Sequence, residues 1–570
     1  MHMQGFVKEF IQKTLELKAE PGVEVPTVAS YGHYSSNVAM QLAKERGVNP
    51  RDLAQDFIAS LQVADKDGVF TNIELAGPGF INFWLSSDWL REQLVKKYGK
   101  KIDGVNVGKK EQVIVEYSSI NIAKRMHVGH LRTTIIGDAL ANIHEYLGYK
   151  VTRWNYLGDW GTQFGKLIAA YKLWGDKEEV AQAPIESLLT LYVKFHDEAK
   201  QGPTLEDKGR AEFKKLEDGD SENRKLWQWF KEETLKEVSV IYRRLGVDFD
   251  VDIGEAFYEK ALQSIIKDLK KKGIAQESEG AIIVPLEEFN LPPALIQKSD
   301  GATLYLTRDI ANLEYRLKKY KPSKILIVVG NEQSLHFRQL GAISQLMGLN
   351  SSELRHVSYG LILGADGKKF STREGGVVSI EELLDKAVEM AYGVVSQKNP
   401  DLPEEERRQV AEAVGVGALK YNDLRENRNS DIIFDWDQML NLAGNTAPYL
   451  QYTVARLRSI LRKSQIPSTK FQIKKANLKL LDQEIELALM KKMLDFDDSV
   501  IVSAQQYMTS HLATYLHELS QMANQYYEQV HVLADENEER KLARLAFVDR
   551  VAAVLTKGLE LLGIDVPERI

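Results

Sequence analysis

The sequence of 570 residues contains no cysteine. This absence excludes disulfide bonds, zinc sites built from thiolates and cysteine nucleophiles, and it fits a reducing compartment. The sequence also lacks an apolar run long enough to span a bilayer. Residues 1–17 carry acidic side chains and lack the apolar core of a signal peptide. We therefore expect a cytoplasmic protein that does not bind a membrane.

The chain has no excess of positive charge, because 74 basic and 81 acidic residues give a formal net charge of -7. This balance argues against a protein that is basic all over and coats nucleic acid. A local basic stripe can still bind phosphates inside an acidic whole. The hydrophobic content of 44% is typical of a globular protein, and the length predicts about three or four domains.

The spacing of apolar residues predicts a multidomain protein that combines α/β and all-α parts. Residues 1–108 have the pattern of a small α+β unit, in which Gly77 to Gly79 form a turn that leads into a strand. In residues 109–390, a buried strand, a helix and a second strand predict a parallel α/β unit. A charged helical stretch at about 171–250 is typical of an insertion into that unit.

The rest of the sequence is almost wholly helical in pattern. Residues 391–439 predict a helical connector and residues 440–570 a separate helical domain. From Arg456 to Lys479 there are eight basic residues and no acidic one. Such a stripe supplies salt-dependent affinity for phosphates, although a solvated helix face remains the alternative.

Two histidines, His127 and His130, follow the first predicted strand of the α/β unit and open its helix. A helix N-terminus at this position is where phosphates and nucleotides bind. Gly129 allows a nucleotide to lie close to the backbone, and two imidazoles can donate hydrogen bonds to phosphate oxygens. The alternative is a pair of helix-start histidines satisfied by backbone groups. A zinc site is disfavoured because no third ligand is evident.

A second segment, residues 367–376, reads GKKFSTREGG and follows a later predicted strand. Glycines flank its dense basic centre, so the loop could close over a polyphosphate and withdraw. The alternative is an exposed charged turn.

Together these two segments resemble the paired signature motifs of the class I aminoacyl-tRNA synthetases. His127 to His130 matches the HIGH motif, and Lys369 to Arg373 is similar to the KMSKS motif. Thr372 stands where that family has its second lysine. The resemblance implies a Rossmann-like catalytic domain that binds ATP together with Mg²⁺. It further implies ATP contacts by Lys124, His127, Gly129, His130, His336, Lys369 and Ser371.

Residues 116–138, EYSSINIAKRMHVGHLRTTIIGD, resemble the arginyl-tRNA synthetase family in particular. In that family an acidic residue, two serines and Asn-x-Ala-Lys precede the HIGH motif. The resemblance implies attachment of L-arginine to tRNA(Arg) through an arginyl-adenylate, by a protein that we expect to be a monomer. Lys124 could supply the positive charge that Thr372 lacks, so His127, His130, Lys124 and Lys369 are the candidate catalytic residues.

A substrate with a guanidinium group needs carboxylates in its binding site. Paired hydrogen bonds between the two groups provide both binding energy and a fixed orientation. Glu116 and Asp309 are the carboxylates that the resemblance places around arginine. Tyr305 lies four residues before Asp309, on the same face of a predicted helix, and can pack on the guanidinium. An ordinary amphipathic helix turn is the alternative. The resemblance implies that Ser119, Asn121 and Gln333 hold the amino and carboxylate ends of arginine.

The resemblance covers nearly the whole chain. The N-terminal unit is similar to the appended domain that touches the tRNA elbow, and the C-terminal region to the helical anticodon-binding domain of the family. The implied tRNA contacts are Phe80, Asn82, Tyr449, Arg456 and Tyr527. Aromatic residues stack on unpaired bases, although a place in the core is the alternative for both tyrosines.

Two other functions stay open at this point. The first is a synthetase for another amino acid, which the acidic candidates and residues 116–138 disfavour. The second is a non-catalytic tRNA-binding relative. Such a protein would be expected to lose the histidine pair or the basic loop, and both are present.

Overall fold

The computed structural model describes residues 3–200, 202–349, 352–364, 367, 368, 370 and 378–570, without the side chains of Ala29 and Pro203. The chain divides into two compact units. One consists of residues 1–105, 442–560 and 566–570, and the other of residues 106–441 and 561–565. The predicted class, a multidomain protein with α/β and all-α parts, is confirmed.

The N-terminal part of the first unit is an α+β fold. Its elements are α1 (Met3–Thr14), β1 (Val23–Glu24), β2 (Tyr34–Ser36), α2 (Val38–Arg46), α3 (Pro50–Ala64), β3 (Phe70–Ala76), β4 (Phe80–Leu85) and α4 (Ser87–Tyr98). The strands form an antiparallel sheet in the order β1-β2-β4-β3. The predicted turn joins β3 to β4, and its Gly77 and Gly79 have φ angles of 51° and 140° that favour glycine.

The second unit contains the predicted parallel sheet. Its elements begin with β5 (Gln112–Glu116), α5 (Val128–Tyr146), β6 (Lys150–Leu157), α6 (Thr162–Trp174), α7 (Lys177–Gln182), α8 (Pro184–Ala199), α9 (Pro203–Glu217), α10 (Ser221–Arg244) and β7 (Val251–Gly254). They continue with α11 (Glu259–Lys271), β8 (Gln276–Ser278), β9 (Ala281–Val284), β10 (Ala294–Gln297), α12 (Tyr305–Tyr320), β11 (Lys324–Gly330), α13 (Ser334–Leu346) and β12 (Glu353–Tyr359). The last elements are β13 (Ile362–Leu363), α14 (Ile380–Lys398), α15 (Glu404–Leu424), β14 (Ile432–Ile433) and α16 (Trp436–Met439).

Five parallel strands lie in the order β12-β11-β5-β6-β7. The central strand β5 is buried on both faces, which explains its continuous run of Val113, Ile114 and Val115. The chain adds β6 and β7 on one side of β5 and later adds β11 and β12 on the other side. The strand order therefore reverses between β5 and β11, and such a switch point is where ligands bind in open α/β sheets.

The predicted helical insertion is present as α6 to α10, between β6 and β7. It has a core of its own, in which Phe164, Phe195 and Phe230 are fully buried. Two features were not predicted. An antiparallel sheet of β8, β9 and β10 precedes α12, and the short strands β13 and β14 pair in parallel.

The C-terminal part of the first unit is helical, as the sequence pattern predicted. It contains α17 (Ala447–Ser464), α18 (Glu484–Leu494), α19 (Phe496–Gln506), α20 (Ser510–Gln529) and α21 (Glu538–Leu561). The buried Arg544 donates to Glu486 at 2.9 Å and to Asp535 at 2.8 Å, which ties α18 to the start of α21. Among the described residues, no helix is both long and apolar enough to cross a membrane.

Candidate active site at the carboxyl edge of the parallel sheet

Several predicted site residues lie just beyond the carboxyl ends of the parallel strands. Glu116 ends β5, and Gln333 closes the short turn that follows β11. The helix that begins at Tyr305 and carries Asp309 leads into β11. Because carboxyl ends of parallel strands share one edge, the topology gathers residues that are far apart in sequence.

The backbone between β5 and α5 is strained. Ser118, Ser119 and Ala123 have φ angles of 67°, 50° and 60°, a region that residues other than glycine rarely adopt. The Ser119 Oγ is buried and has no hydrogen-bond partner among the described residues. Strained backbone and an unsatisfied hydroxyl are typical of a ligand site.

Asn121 lies against the end of β6. Ile122 N–H donates to Gly158 O at 3.2 Å, and Gly158 N–H donates to Ile120 O at 2.9 Å. A Cβ on Gly158 would stand only 2.4 Å from Asn121 Oδ1. The absence of a side chain at Gly158 therefore makes room for the Asn121 amide, which was predicted to hold arginine.

The two histidines lie at the start of α5, as predicted, and both cap it, while their contact with ATP stays a prediction. His127 Nδ1 accepts from Gly129 N–H at 3.1 Å, and His130 Nδ1 accepts from His127 N–H at 3.2 Å. Since both Nδ1 atoms accept, each ring carries its proton on Nε2. Burial, with the nearby His127 and Lys124, lowers the pKa of His130 to about 3. His130 is thus a neutral hydrogen-bond donor at physiological pH.

Lys369, Ser371 and Thr372 lie outside the described residues. The chain just after them pairs with the histidine motif: Val128 N–H donates to Val378 O at 3.2 Å, and Ile380 N–H donates to Met126 O at 3.1 Å. The backbone at Val378 and Ile380, which follow the basic segment in the sequence, therefore lies at the N-terminus of α5.

Lys124 is exposed on the strained segment. No carboxylate in the described part of the chain forms a salt bridge with it. Its neighbour Arg125, by contrast, lies 3.6 Å from Glu186. Lys124 is therefore the basic side chain of this segment that is available to an anionic ligand.

Glu116 and Asp309 line one cavity, as the prediction required. The Glu116 carboxylate is buried and already bound by the Arg316 guanidinium, which lies 4.3 Å from the ring centroid of Trp154. Burial raises the pKa of Glu116, and Arg316 opposes that shift. Direct contact between Glu116 and a substrate guanidinium stays a prediction, because an internal guanidinium occupies that carboxylate.

His336, on α13, contacts Asp309, which lines this cavity. Its Nε2 lies 2.6 Å from Asp309 Oδ2. The sequence assigned His336 to ATP, and this assignment stays a prediction. Tyr305 is 63% exposed at the first position of α12, and Gln333 is exposed. Both side chains are accessible to a ligand.

Glu255, at the end of β7, was not predicted as a site residue. Burial raises its pKa to about 8; Arg308 opposes this shift, and the carboxylates of Asp309, Asp159 and Glu259 add to it. A group with such a perturbed pKa beside other carboxylates is a candidate functional residue. The signal in the sequence was weak, because β7 has only four residues.

The hydroxyl of Tyr156 adds to this environment. It is buried and has no hydrogen-bond partner among the described residues. Burial, with the charges of Asp309, Glu255 and Glu116, raises the pKa of Tyr156 well above its ordinary value. Carboxylates around an unsatisfied hydroxyl favour a cationic ligand that donates several hydrogen bonds.

Asp159, just after β6, has a structural position. Its carboxylate accepts from Lys231 Nζ at 2.7 Å and from Ala256 N–H at 2.9 Å. Its backbone carbonyl accepts from Trp227 Nε1 at 2.7 Å. Asp159 thereby joins the end of β6 to the insertion and to the segment after β7.

The predicted tRNA contacts near the N-terminus differ in accessibility. Phe80 is half-buried at the start of β4. Asn82 is only 3% exposed, and its Oδ1 accepts from Ser35 Oγ at 2.7 Å. The structure therefore does not favour Asn82 as a surface contact, because its side chain is enclosed and satisfied inside the sheet.

The predicted contacts near the C-terminus come together on α17 and α20. The Arg456 guanidinium lies 5.0 Å from the ring centroid of Tyr527, which is 38% exposed. Asn524 links the group, since it accepts from Arg456 at 2.8 Å and donates to the Tyr449 hydroxyl at 3.1 Å. Two aromatic rings beside a guanidinium are suited to stacking on nucleic acid bases.

The basic stripe at residues 456–479 is partly neutralised by an acidic residue that lies outside this range. Glu568 lies 3.1 Å from Arg458 and 4.0 Å from Arg462. The remaining lysines lie on the last turn of α17 or in the irregular segment before α18. A positive surface remains there, although it is weaker than the sequence alone indicated.

Comparison with known proteins gives matches along most of the chain. A family model described as "tRNA synthetases class I (R), catalytic domain" matches residues 91–436. Models described as "Arginyl tRNA synthetase N terminal domain" and "DALR anticodon binding domain" match residues 1–85 and 450–570.

Relatives and solved structures agree with these models. A protein of Fusobacterium nucleatum named arginine–tRNA ligase is 43% identical over 546 residues, which are 95% of this chain and 94% of that protein. The crystal structure of arginyl-tRNA synthetase from Plasmodium falciparum has a TM-score of 0.85 at 27% identity, covering 100% of this chain and 99% of that one. The Thermus thermophilus arginyl-tRNA synthetase shares the fold, with a TM-score of 0.83 at 24% identity and complete coverage of both chains. This chain belongs to the arginyl-tRNA synthetase family.

Proposed function

We propose that this chain attaches L-arginine to tRNA(Arg), as its relatives named arginine–tRNA ligase do, and that it does so in two steps. The arginine carboxylate first attacks the α-phosphate of ATP, which forms arginyl-adenylate and releases pyrophosphate. A hydroxyl at the 3′ end of the tRNA then takes the arginyl group, and AMP leaves. The observation that carries this proposal is that the carboxylates of Asp309, Glu255 and Glu116 converge around the buried Tyr156 hydroxyl at the carboxyl edge of the sheet.

In the first step, the chain recognises arginine by its charge and planarity. Asp309 and Glu255 would accept hydrogen bonds from the guanidinium, and Tyr305 would pack on its face. Glu116 would act together with Arg316, which holds its carboxylate. The amino and carboxylate ends would contact Ser119, Asn121 and Gln333, and the free Ser119 hydroxyl supports this orientation.

ATP would lie over the N-terminus of α5. The Nε2–H groups of His127 and His130 would donate to phosphate oxygens as negative charge builds, and Gly129 would allow close approach of the nucleotide. Lys124, Lys369 and Ser371 would bind the polyphosphate, and His336 would reach ATP from α13. Mg²⁺ would arrive with ATP and be held mainly by the phosphates.

The two terminal regions would hold the tRNA. Residues 1–108 would contact the elbow, and residues 440–570 the anticodon, where Tyr449, Arg456 and Tyr527 present rings and charge. Residues 109–390 would carry out catalysis. Residues 391–439 would connect this catalytic region to the anticodon-binding region, residues 440–570. We propose that the protein is monomeric and cytoplasmic.

Aminoacylation by the purified protein tests the proposal directly. Each of the twenty amino acids would be supplied with ATP and total tRNA, and charged tRNA would be measured. We expect arginine alone to be attached. Efficient charging with another amino acid would overturn the specificity, and tRNA binding without charging would indicate a non-catalytic relative.

The missing second lysine of the signature loop suggests a further property of the first step. With Thr372 in its place, activation could depend on tRNA to complete the site. Pyrophosphate exchange would be measured with and without tRNA(Arg). We expect exchange only when tRNA is present, and full exchange without tRNA would contradict this part of the proposal.

A further inference from the structure

A buried hydrogen-bond chain lies behind the strained segment that follows β5. It begins on Asn155 in β6, whose Nδ2 lies 2.9 Å from Asp252 Oδ1 and 3.4 Å from the hydroxyl of Tyr242. The Tyr242 hydroxyl lies 2.8 Å from Ser118 Oγ, and Ser118 Oγ lies 3.0 Å from Thr134 Oγ1. Apart from Tyr242, which is 9% exposed, these side chains on β6, α5 and the strained segment are almost completely buried.

The direction of this chain follows from the number of protons. Thr134 has one hydroxyl proton, and its Oγ1 lies 2.6 Å from the carbonyl of His130, which can only accept. Thr134 Oγ1 also donates to Ser118 Oγ at 3.0 Å, so this proton is shared between two acceptors. Burial raises the pKa of Tyr242 above its ordinary value, so its proton is retained throughout the working range. The Tyr242 hydroxyl can therefore donate to Ser118 Oγ.

The hydrogen-bond chain holds residues whose backbone conformation is unfavourable. Ser118 and Ser119 both have positive φ angles, of 67° and 50°. Such a conformation persists only when surrounding contacts determine it. Ser118 N–H also donates to Thr133 Oγ1 at 3.2 Å, so this serine is fixed by its backbone and by its side chain. The next residue, Ser119, carries the unpartnered hydroxyl of the site.

Tyr242 belongs to a different part of the chain, since it lies in the last turn of α10, the final helix of the insertion. Its ring packs against Phe249 with centroids 5.0 Å apart, and Phe249 lies 4.7 Å from the ring centroid of Tyr117. Tyr117 donates to Asp248 O at 3.2 Å. The end of the insertion therefore surrounds the segment from Tyr117 to Ser119.

We propose that Tyr242 is a positioning residue for the arginine site. Its hydroxyl holds Ser118, and thereby the left-handed backbone at Ser118 and Ser119, in the geometry that presents Ser119 to arginine. This inference rests on the proposed function, because it assumes that arginine binds beside Ser119. It gives the end of the helical insertion a defined part in amino acid recognition.

The test is a steady-state comparison of Tyr242→Phe with the parent enzyme. The phenylalanine keeps the ring packing and removes only the hydroxyl. We expect the KM for arginine to rise about five- to tenfold, the effect of one lost buried hydrogen bond. The KM for ATP should stay within about twofold of the parent value, because the histidine caps are retained.

A double-mutant cycle separates positioning from general loosening. Ser118→Ala removes the other partner of the Tyr242 hydrogen bond, so it should raise the KM for arginine to a similar extent. If the two groups act as one unit, the double variant should be no worse than the poorer single variant. Should Tyr242→Phe fold poorly, Ser118→Ala would carry the test alone.

Tyr98→Phe is the matched control for stability. Tyr98 is fully buried in the first unit, and its hydroxyl donates to Met493 O at 2.5 Å. Tyr98→Phe should lower the melting temperature about as much as Tyr242→Phe does, and it should leave the KM for arginine unchanged. An unchanged KM in Tyr242→Phe, an equal rise in the KM for ATP, or additive effects in the cycle would overturn the positioning role. A parent enzyme that charges no tRNA with arginine would instead overturn the proposed function.

Discussion

Asp309 Oδ2 lies 2.6 Å from Nε2 of His336. This hydrogen bond joins the N-terminal parts of α12 and α13. Along the chain, α12 precedes β11 and α13 follows it. The imidazole fixes one carboxylate oxygen, so the other can be directed at a ligand. Binding sites with a well-defined geometry generally contain a supporting residue that orients the carboxylate that contacts the ligand. We infer that His336 prepares Asp309 for the guanidinium of arginine.

Replacing Asp309 with asparagine should weaken arginine binding without a comparable effect on ATP. The substitution keeps the shape of the side chain and removes the negative charge that we propose faces the guanidinium. The loss of one charge-assisted hydrogen bond predicts a rise of about 10- to 100-fold in the KM for arginine. Steady-state aminoacylation at varied arginine measures it. Asp268→Asn, which removes a half-buried carboxylate on α11 that pairs with Lys272, is the control, and an unchanged KM in Asp309→Asn would reject the assignment.

Arginine affinity should depend on pH through Glu255, whose pKa burial raises to about 8. A guanidinium prefers the ionised carboxylate. The KM for arginine should therefore fall as the pH rises toward 8, by up to about tenfold per pH unit, and level off above it. Glu255→Gln should remove most of this dependence. A variant with the same pH profile as the parent would contradict a role for Glu255.

The same ionisation affects folding in the opposite direction. The pKa of Glu255 is raised above its ordinary value of 4.5, so the folded state holds this proton more tightly than the unfolded state. The resulting stabilisation is fully present below about pH 4.5 and is lost as the pH rises through about 8. Unfolding at several pH values should therefore show a smaller loss of stability toward pH 8 in Glu255→Gln than in the parent.

The sequence predicted the features that depend on neighbouring residues. The strand that ends at Glu116, the helix that begins with the histidine pair and the helix that begins at Tyr305 all have local patterns, and the structure has all three. The parallel sheet followed from alternation of such elements. The motif residues could be placed at one edge because that topology has only one carboxyl edge.

The sequence could not predict which charged groups are already paired. Arg316 lies in the stretch EYRLKKY, which has the composition of an exposed helix end, yet it is buried between Glu116 and Trp154. Its burial depends on residues about 160 to 200 positions earlier, so no local pattern reports it. Glu255 was missed for the same reason, since its raised pKa comes from burial and from Asp309.

Lys124→Ala should lower the rate of arginine activation about a hundredfold, the effect of removing one charge that stabilises a transition state. Lys124 is exposed and has no carboxylate in a salt bridge with it among the described residues, so folding should be unaffected. Pyrophosphate exchange in the presence of tRNA(Arg) measures the rate. Lys150→Ala, at the amino end of β6, is the matched control. An unchanged rate in Lys124→Ala would refute its compensation for Thr372.

A buried ion pair anchors α5. Arg132 Nε lies 2.8 Å from Asp423 Oδ2, and Arg132 Nη2 lies 3.1 Å from Asp423 Oδ1. Arg132 is 1% exposed and also donates to Gly360 O at 2.7 Å. Burial raises the pKa of Asp423 and Arg132 lowers it. The guanidinium thus opposes the protonation that burial favours.

Arg132→Leu should destabilise the protein by about 3–5 kcal/mol, because it leaves a buried carboxylate without a partner. Arg132→Leu combined with Asp423→Leu should recover most of this loss, since the uncompensated charge is gone. Urea unfolding followed by tryptophan fluorescence compares the midpoints, and both variants should bind ATP less well if α5 moves. Equal stability of the single variant and the parent would show that α5 is held by its apolar contacts, with the ion pair contributing nothing.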